Sequence, residues 1–168
     1  MDHYLFVRFR TYFGRRPHRR EPPELHPSEA AFRWTVALES LLVSQSGPDL
    51  SRKVSQRAAV LIGRSDAERL AIERVVRAAY SIRSTYAHGG ADRSPSAADL
   101  ADIFAVTRGV ITLWPVVASE HGRSLDRVLD NALLSHQVLA DQVRQPIEQF
   151  LIESGFEVEI LREERTGT

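Results

Sequence analysis

The sequence predicts an all-α fold, an antiparallel bundle of about five to six helices with short strands at its two ends. Three observations carry this. Between positions 28 and 154, apolar residues recur at three- and four-residue spacing, the period of one helix face. Turn-forming residues at 46–49 ("SGPD"), 63 and 89–96 ("GGADRSPS") cut that stretch into pieces of ordinary helix length. Outside it, apolar and polar residues alternate at 4–13 and 156–161, which is the period of a strand. The chain therefore divides into an N-terminal strand or tail with a Pro/Arg-rich linker (1–27), a helical domain (28–154) and a C-terminal strand or tail (155–168).

In "YLFVRFRTYF", Leu5, Val7 and Phe9 share one side, and Phe6, Arg8 and Arg10 the other. "FEVEIL" sets Phe156, Val158 and Ile160 against Glu157 and Glu159. Opposite charges on neighbouring strands attract, so Arg8 and Arg10 are expected to face Glu157 and Glu159 across a two-stranded ribbon. Residues 14–27 are polar and proline-rich and read as a linker.

The first helix is expected from Ser28 to Ser44, with Ala31, Trp34, Leu38, Leu41 and Leu42 as its stripe. The second covers 50–62 and stops at Gly63, a residue that readily takes the left-handed turn after a helix. In the third, Ser65 and Glu68 have capping-box spacing. Ile72, Val75, Val76, Ala79 and Ile82 face inward; Glu68, Arg69, Glu73, Arg74 and Arg77 face water. It should end at Gly89 or Gly90. Ser94 or Ser96 opens the fourth, with Leu100, Ile103, Phe104, Thr107, Val110, Ile111 and Trp114 inward, and Pro115 should kink or end it. A fifth covers 124–136, burying Leu125, Val128, Leu129, Ala132 and Leu133. A sixth covers 138–154, with Pro146 troubling its middle.

The 168 residues suffice for one domain with a sizeable core. At 43% hydrophobic and 26% charged, the composition is that of a soluble globular protein. A formal net charge of zero removes any whole-chain attraction to nucleic acid. The charge is polarised, however: Arg8, Arg10, Arg15, Arg16, Arg19 and Arg20 crowd one end, and Glu148, Glu153, Glu157, Glu159, Glu163 and Glu164 the other. With no cysteine, disulfides and thiolate metal sites are excluded, and the compartment points to the cytoplasm. No secretory signal is visible, and no stretch approaches the roughly 18 apolar residues of a membrane span.

The chemistry concentrates in "AAYSIRSTYAHGG", residues 78–90. Arg83 follows Val76 by seven residues, about two helical turns, and so sits at the edge of the buried stripe. A guanidinium there needs a partner: an acid, a backbone carbonyl or a bound anion. His88 lies about 140° further round an ideal helix. One straight helix does not aim both at one small target; a bent helix end or a second chain would. An arginine and a histidine suit cleavage of an RNA phosphodiester without metal or cofactor. Histidine moves a proton near neutral pH, and arginine grips phosphate oxygens as charge builds on them. The bland alternative is a helix end at which His88 favours the dipole and Gly89 makes the terminal turn. Tyr80 and Tyr86 flank the motif, as packing residues or as platforms for RNA bases. The N-terminal arginines could hold a phosphate backbone or belong to a solvated tail. Arg52 and Arg57 read as a wet helix face or as the flank of a basic groove. His18, His26, His121 and His136 show no metal-ligand spacing and are taken as surface or core residues.

"YSIRSTYAHGG" resembles the signature of the HEPN superfamily, most closely its Apea-like branch, in which an arginine-serine pair and then a histidine-glycine pair end a long helix. "FRWTVALESLLV", with its Leu38-Glu39-Ser40-Leu41 run, resembles that branch's first core helix, and "LSRKVSQRAAVLIG" its second. The resemblance covers roughly 28–135. It implies an all-helical homodimer whose two R-x4-H pairs face each other, and a metal-independent endoribonuclease in a toxin, antiviral or stress system. A cognate antitoxin or partner protein is the further partner it implies. Arg83 and His88 would then be catalytic, supported by Ser84, Tyr80 and Tyr86. Ser84 stands where many members carry asparagine, aspartate or histidine. Gly90 stands where members controlled by nucleotidyl transfer carry tyrosine. Some members are non-catalytic binding or scaffolding modules, which is the alternative function for this chain.

Overall fold

A computed structural model of the chain describes residues 26–44, 47–88 and 94–155, and every regular element in them is helical. The elements are α1 (Pro27–Leu42), α2 (Leu50–Ile62), α3 (Asp66–Ala87), α4 (Ala97–His121), a 3-10 turn (Gly122–Ser124), α5 (Leu125–Ala132), α6 (His136–Val138), a π-helical segment (Leu139–Arg144) and α7 (Gln145–Glu153). The expected strands at 4–13 and 156–161, most of the linker and Gly89–Gly90 lie outside the described residues.

Helix α3 lies against α1 and α2, and α4 packs across α1, α2 and α3. The main core joins Leu38 and Leu42 of α1, Val54, Ala58 and Leu61 of α2, Ile72 and Val76 of α3, Val106, Val110 and Val117 of α4, Leu129 of α5, and Val143 of the π segment. A smaller cluster of Ala31, Ala79 and Ile103, flanked by Trp34, Ile82 and Leu100, closes the end of the bundle where α3 terminates.

Local chemistry explains the boundaries. His26 caps α1, its Nδ1 accepting the Ser28 amide at 3.3 Å, with Pro27 in the first turn where a missing N–H costs nothing. At α3, the Ser65 hydroxyl accepts the Glu68 amide as expected, but the Glu68 carboxylate takes the Arg64 amide, so the capping box is only half formed. Ser96 and Asp99 make a complete box at α4.

Gly63 ends α2 in an extended conformation (φ −86°), not the left-handed turn the sequence suggested. Its role is close approach: a Cβ there would lie 2.7 Å from both the Ala59 carbonyl oxygen and Arg69 Cγ. Gly63→Ala is therefore expected to cost about 1–3 kcal/mol through overpacking. Urea unfolding measures this, and an unchanged midpoint would contradict it.

Pro115 does not end its helix, while the trouble expected around Pro146 is present as a π-helical segment. Pro115 stands inside α4, which continues to His121. The carbonyl that loses its N–H partner is that of Ile111, on the exposed side, where water can take it. Pro146 is preceded by the π segment, and helix continues through it to Glu153. The Gln142 carbonyl, four residues before Pro146, accepts His121 Nε2–H at 2.6 Å. Arg144 of the same segment donates to the Arg64 carbonyl at 2.6 Å, capping the chain that leaves α2.

Phe104 (49% exposed), Ile111 (52%) and Leu133 (41%), all expected inside, face outward. One helical run, Ala97–Ala132, is long and apolar enough to cross a membrane by length and composition alone. A core helix passes the same test, and α4 packs against α1, α2, α3 and α7 while carrying Asp102 and Arg108.

Candidate functional site

The last turns of α3 place Arg83 where the stripe argument put it, at the edge of the α1–α3 contact, with 29% of its side chain exposed. Of the three partners open to it, the acid is the one found. Nη1 forms an ion pair with Glu39 of α1, itself 17% exposed. The guanidinium carbon lies 5.7 Å from the Phe32 ring centroid and 5.6 Å from that of Tyr80, within cation–π range. Among the described residues nothing hydrogen-bonds Nε or Nη2 of Arg83, so one edge of the guanidinium is fixed and the other keeps its donors.

Tyr80 supports this arrangement from one turn back. Its hydroxyl is buried and reaches no acceptor at full hydrogen-bond geometry, though Glu39 is the group it leans toward. Burial, and then the neighbouring Glu39 carboxylate, push its ionisation well above the usual tyrosine value. Tyr80 is thus a neutral donor held beside an acid already shared with Arg83.

His88 is the C-cap of α3, its amide donating to the Ser84 carbonyl at 3.2 Å. Its ring is exposed, and no described residue hydrogen-bonds it. The helix stays regular to Ala87, so no unwinding before His88 turns that ring toward Arg83. On an ideal helix the two side chains lie about 140° apart. Ser84 is exposed, and its hydroxyl bonds neither catalytic candidate.

Tyr86 is 42% exposed. Its ring lies 6.5 Å from His26 at an interplanar angle of 19°, and 6.0 Å from Phe32 at 52°. His26, exposed as the surface reading expected, both caps α1 and flanks the motif. Because Nδ1 accepts the Ser28 amide, its proton sits on Nε2.

Glu39, Phe32 and His26 are the members of this cluster that sequence reasoning did not assign to Arg83 or Tyr86. For Glu39 a signal existed: it follows Leu38 at the edge of its stripe just as Arg83 follows Ile82. His26 and Phe32 lie more than fifty residues upstream of Tyr86, and no local spacing links them to it.

Arg57 corrects both readings given to it. Its side chain is 4% exposed. Nε and Nη2 reach the two Asp130 oxygens at 2.8 and 2.9 Å, and Nη1 donates to the Leu42 carbonyl at 2.6 Å and pairs with Asp126 at 3.2 Å. It is a buried clamp joining α1, α2 and α5. Arg52 remains exposed and pairs with Asp49. A groove of about 420 Å³ opens between α2, α3 and the α5–α6 turn, and none of residues 80–88 lines it.

No family model matches this chain, and neither a curated protein nor a solved structure matches it.

Proposed function

We propose that the chain is a metal-independent endoribonuclease of the HEPN type, active as a homodimer, with Arg83 and His88 as its catalytic residues. The observation that carries the reading is the presence, on the last turns of one helix, of a guanidinium braced on one edge and an exposed histidine that no described residue hydrogen-bonds. His88 takes the proton from a ribose 2′-hydroxyl or delivers one to the departing 5′-oxygen. The free edge of Arg83 meets the phosphate oxygens as negative charge accumulates. Ser84 lies between the two, and Tyr80 keeps Glu39 and Arg83 in register. A toxin, antiviral or stress-response role in the cytoplasm, with a cognate antitoxin or partner protein, goes with this reading.

The second copy answers the angular mismatch, because Arg83 of one protomer can meet His88 of the other. Exposed Phe104 and Ile111, two turns apart on α4, with Trp34 packed 5.5 Å from Phe104, offer an apolar strip along that helix. Light scattering is expected to find a dimer, and the double variant Phe104→Glu, Ile111→Glu a folded monomer without cleavage activity. A variant that stays dimeric would rule this face out.

The reaction itself is tested by incubating purified protein with single-stranded RNA in EDTA. Attack by the 2′-oxygen leaves a 2′,3′-cyclic phosphate and a 5′-hydroxyl, and those ends are expected. The Arg83–Glu39 pair also favours a second reading, a non-catalytic RNA- or protein-binding module in which Arg83 is a structural brace. That reading is upheld if no RNA is cut and Arg83→Ala lowers stability alone.

A further inference from the structure

We infer that Tyr86, backed by His26 and Phe32, is a stacking platform for an unpaired nucleobase next to the phosphate held by Arg83; this rests on the ribonuclease reading and narrows its substrate to single-stranded RNA.

Three features carry it. A tyrosine 42% exposed contributes little to the core, yet this one is held by two aromatic neighbours, from the start and first turns of α1. The nearly parallel His26 and Tyr86 rings fix the orientation of the platform, so a base landing on it loses little to side-chain ordering. Position completes the case. Tyr86 follows Arg83 by three residues, which places the two as neighbours on the helix surface, with Cβ atoms about 5–6 Å apart. That is the scale on which a nucleotide separates its base from its phosphate. Phe32 touches both, lying under the Arg83 guanidinium and beside the Tyr86 ring, and so couples the two subsites mechanically.

Stacking on a ring face reads no base edge, so such a platform accepts any base and selects for strandedness. In a duplex the bases are already stacked on one another and cannot reach it. An RNA loop or overhang supplies an unpaired base.

The test uses the full chain with His88→Ala, so that binding is measured without cleavage. The probes are an eight-nucleotide oligoadenylate, an abasic ribose-phosphate strand of the same length, and a duplex of the same sequence. Oligoadenylate is expected to bind about tenfold more tightly than the abasic strand. Tyr86→Ala should erase that ratio while leaving abasic affinity unchanged, and Tyr86→Trp should preserve it. His26→Asn keeps a capping acceptor and removes the flanking ring, so a partial loss is expected. A base-dependent preference that survives Tyr86→Ala overturns the inference. The two readings fail separately. If the chain with His88 intact cuts RNA and Tyr86→Ala leaves its KM unchanged, the platform is wrong and the ribonuclease stands. If nothing is cut but Tyr86→Ala abolishes the preference for bases, the platform stands and the ribonuclease is wrong.

Discussion

Arg83→Ala and His88→Ala are each expected to lower RNA cleavage by roughly 10²–10⁴-fold, the range seen when a charge-stabilising donor or a general acid–base is removed. The two should differ in what else they do. His88 is exposed at a helix end, so its loss should leave the melting temperature nearly unchanged. Arg83 is paired with Glu39 and lies over two rings, and its removal leaves a half-buried carboxylate without its cation. A stability loss of about 1–3 kcal/mol should accompany the loss of activity. The double variant Glu39→Gln, Arg83→Ala separates the effects: stability should recover and activity should not. Arg83→Lys should also be nearly inactive, because an ammonium cannot pair with Glu39 on one edge and offer a second edge to phosphate. Parallel cleavage assays and thermal melts check all four. Full activity in Arg83→Ala would remove this residue from the mechanism.

The second large effect is expected away from that site. Asp126→Ala with Asp130→Ala strands the Arg57 guanidinium, 4% exposed, with the Leu42 carbonyl as its remaining acceptor. Stranding a buried charge costs about 3–5 kcal/mol. Both aspartates are more than a third exposed, so the lower end applies after allowance for solvent screening. A fall in melting temperature of roughly 6–12 °C follows for a chain of this size. The clamp also makes stability depend on pH. Burial pushes the Asp126 carboxyl upward, but the Ser44 hydroxyl, at 2.6 Å, and Arg57 outweigh it and hold it below the usual carboxylate value. A carboxyl depressed on folding contributes stability that is complete above its unfolded value, near pH 4, and is lost as pH falls through its folded value. Acid titration should therefore unfold the wild type more steeply below pH 4 than the double alanine variant. Identical acid profiles would show that Asp126 carries no such linkage.

Much of the framework was legible because helix boundaries are local chemistry. Ser65, Ser96 and the apolar spacing of α1 to α3 settle those elements within a residue or two. Arg83 was placed by the same periodicity. The misses share a cause. Spacing says which side of a helix is apolar, but not whether another element covers it, so Phe104, Ile111 and Leu133 read as buried. Pro115 read as a kink or an end, yet α4 runs on to His121, because one lost amide donor on an exposed helix face does not stop a helix. Arg57 sits among Val54, Ala58 and Leu61 on a buried stripe, and the edge argument applied to Arg83 would have found it. Its partners, Asp126 and Asp130, come from a helix some seventy residues away.

The unbroken course of α3 to Ala87 has a consequence for the cell. Under the proposed reading, the arginine of one molecule works with the histidine of an identical one, and each chain alone supplies half of a reaction centre. Far below the dimer dissociation constant, turnover then rises with the square of the protein's abundance. On that reading the chain would be nearly silent at basal expression and active once it accumulates, and its dosage alone would act as a threshold.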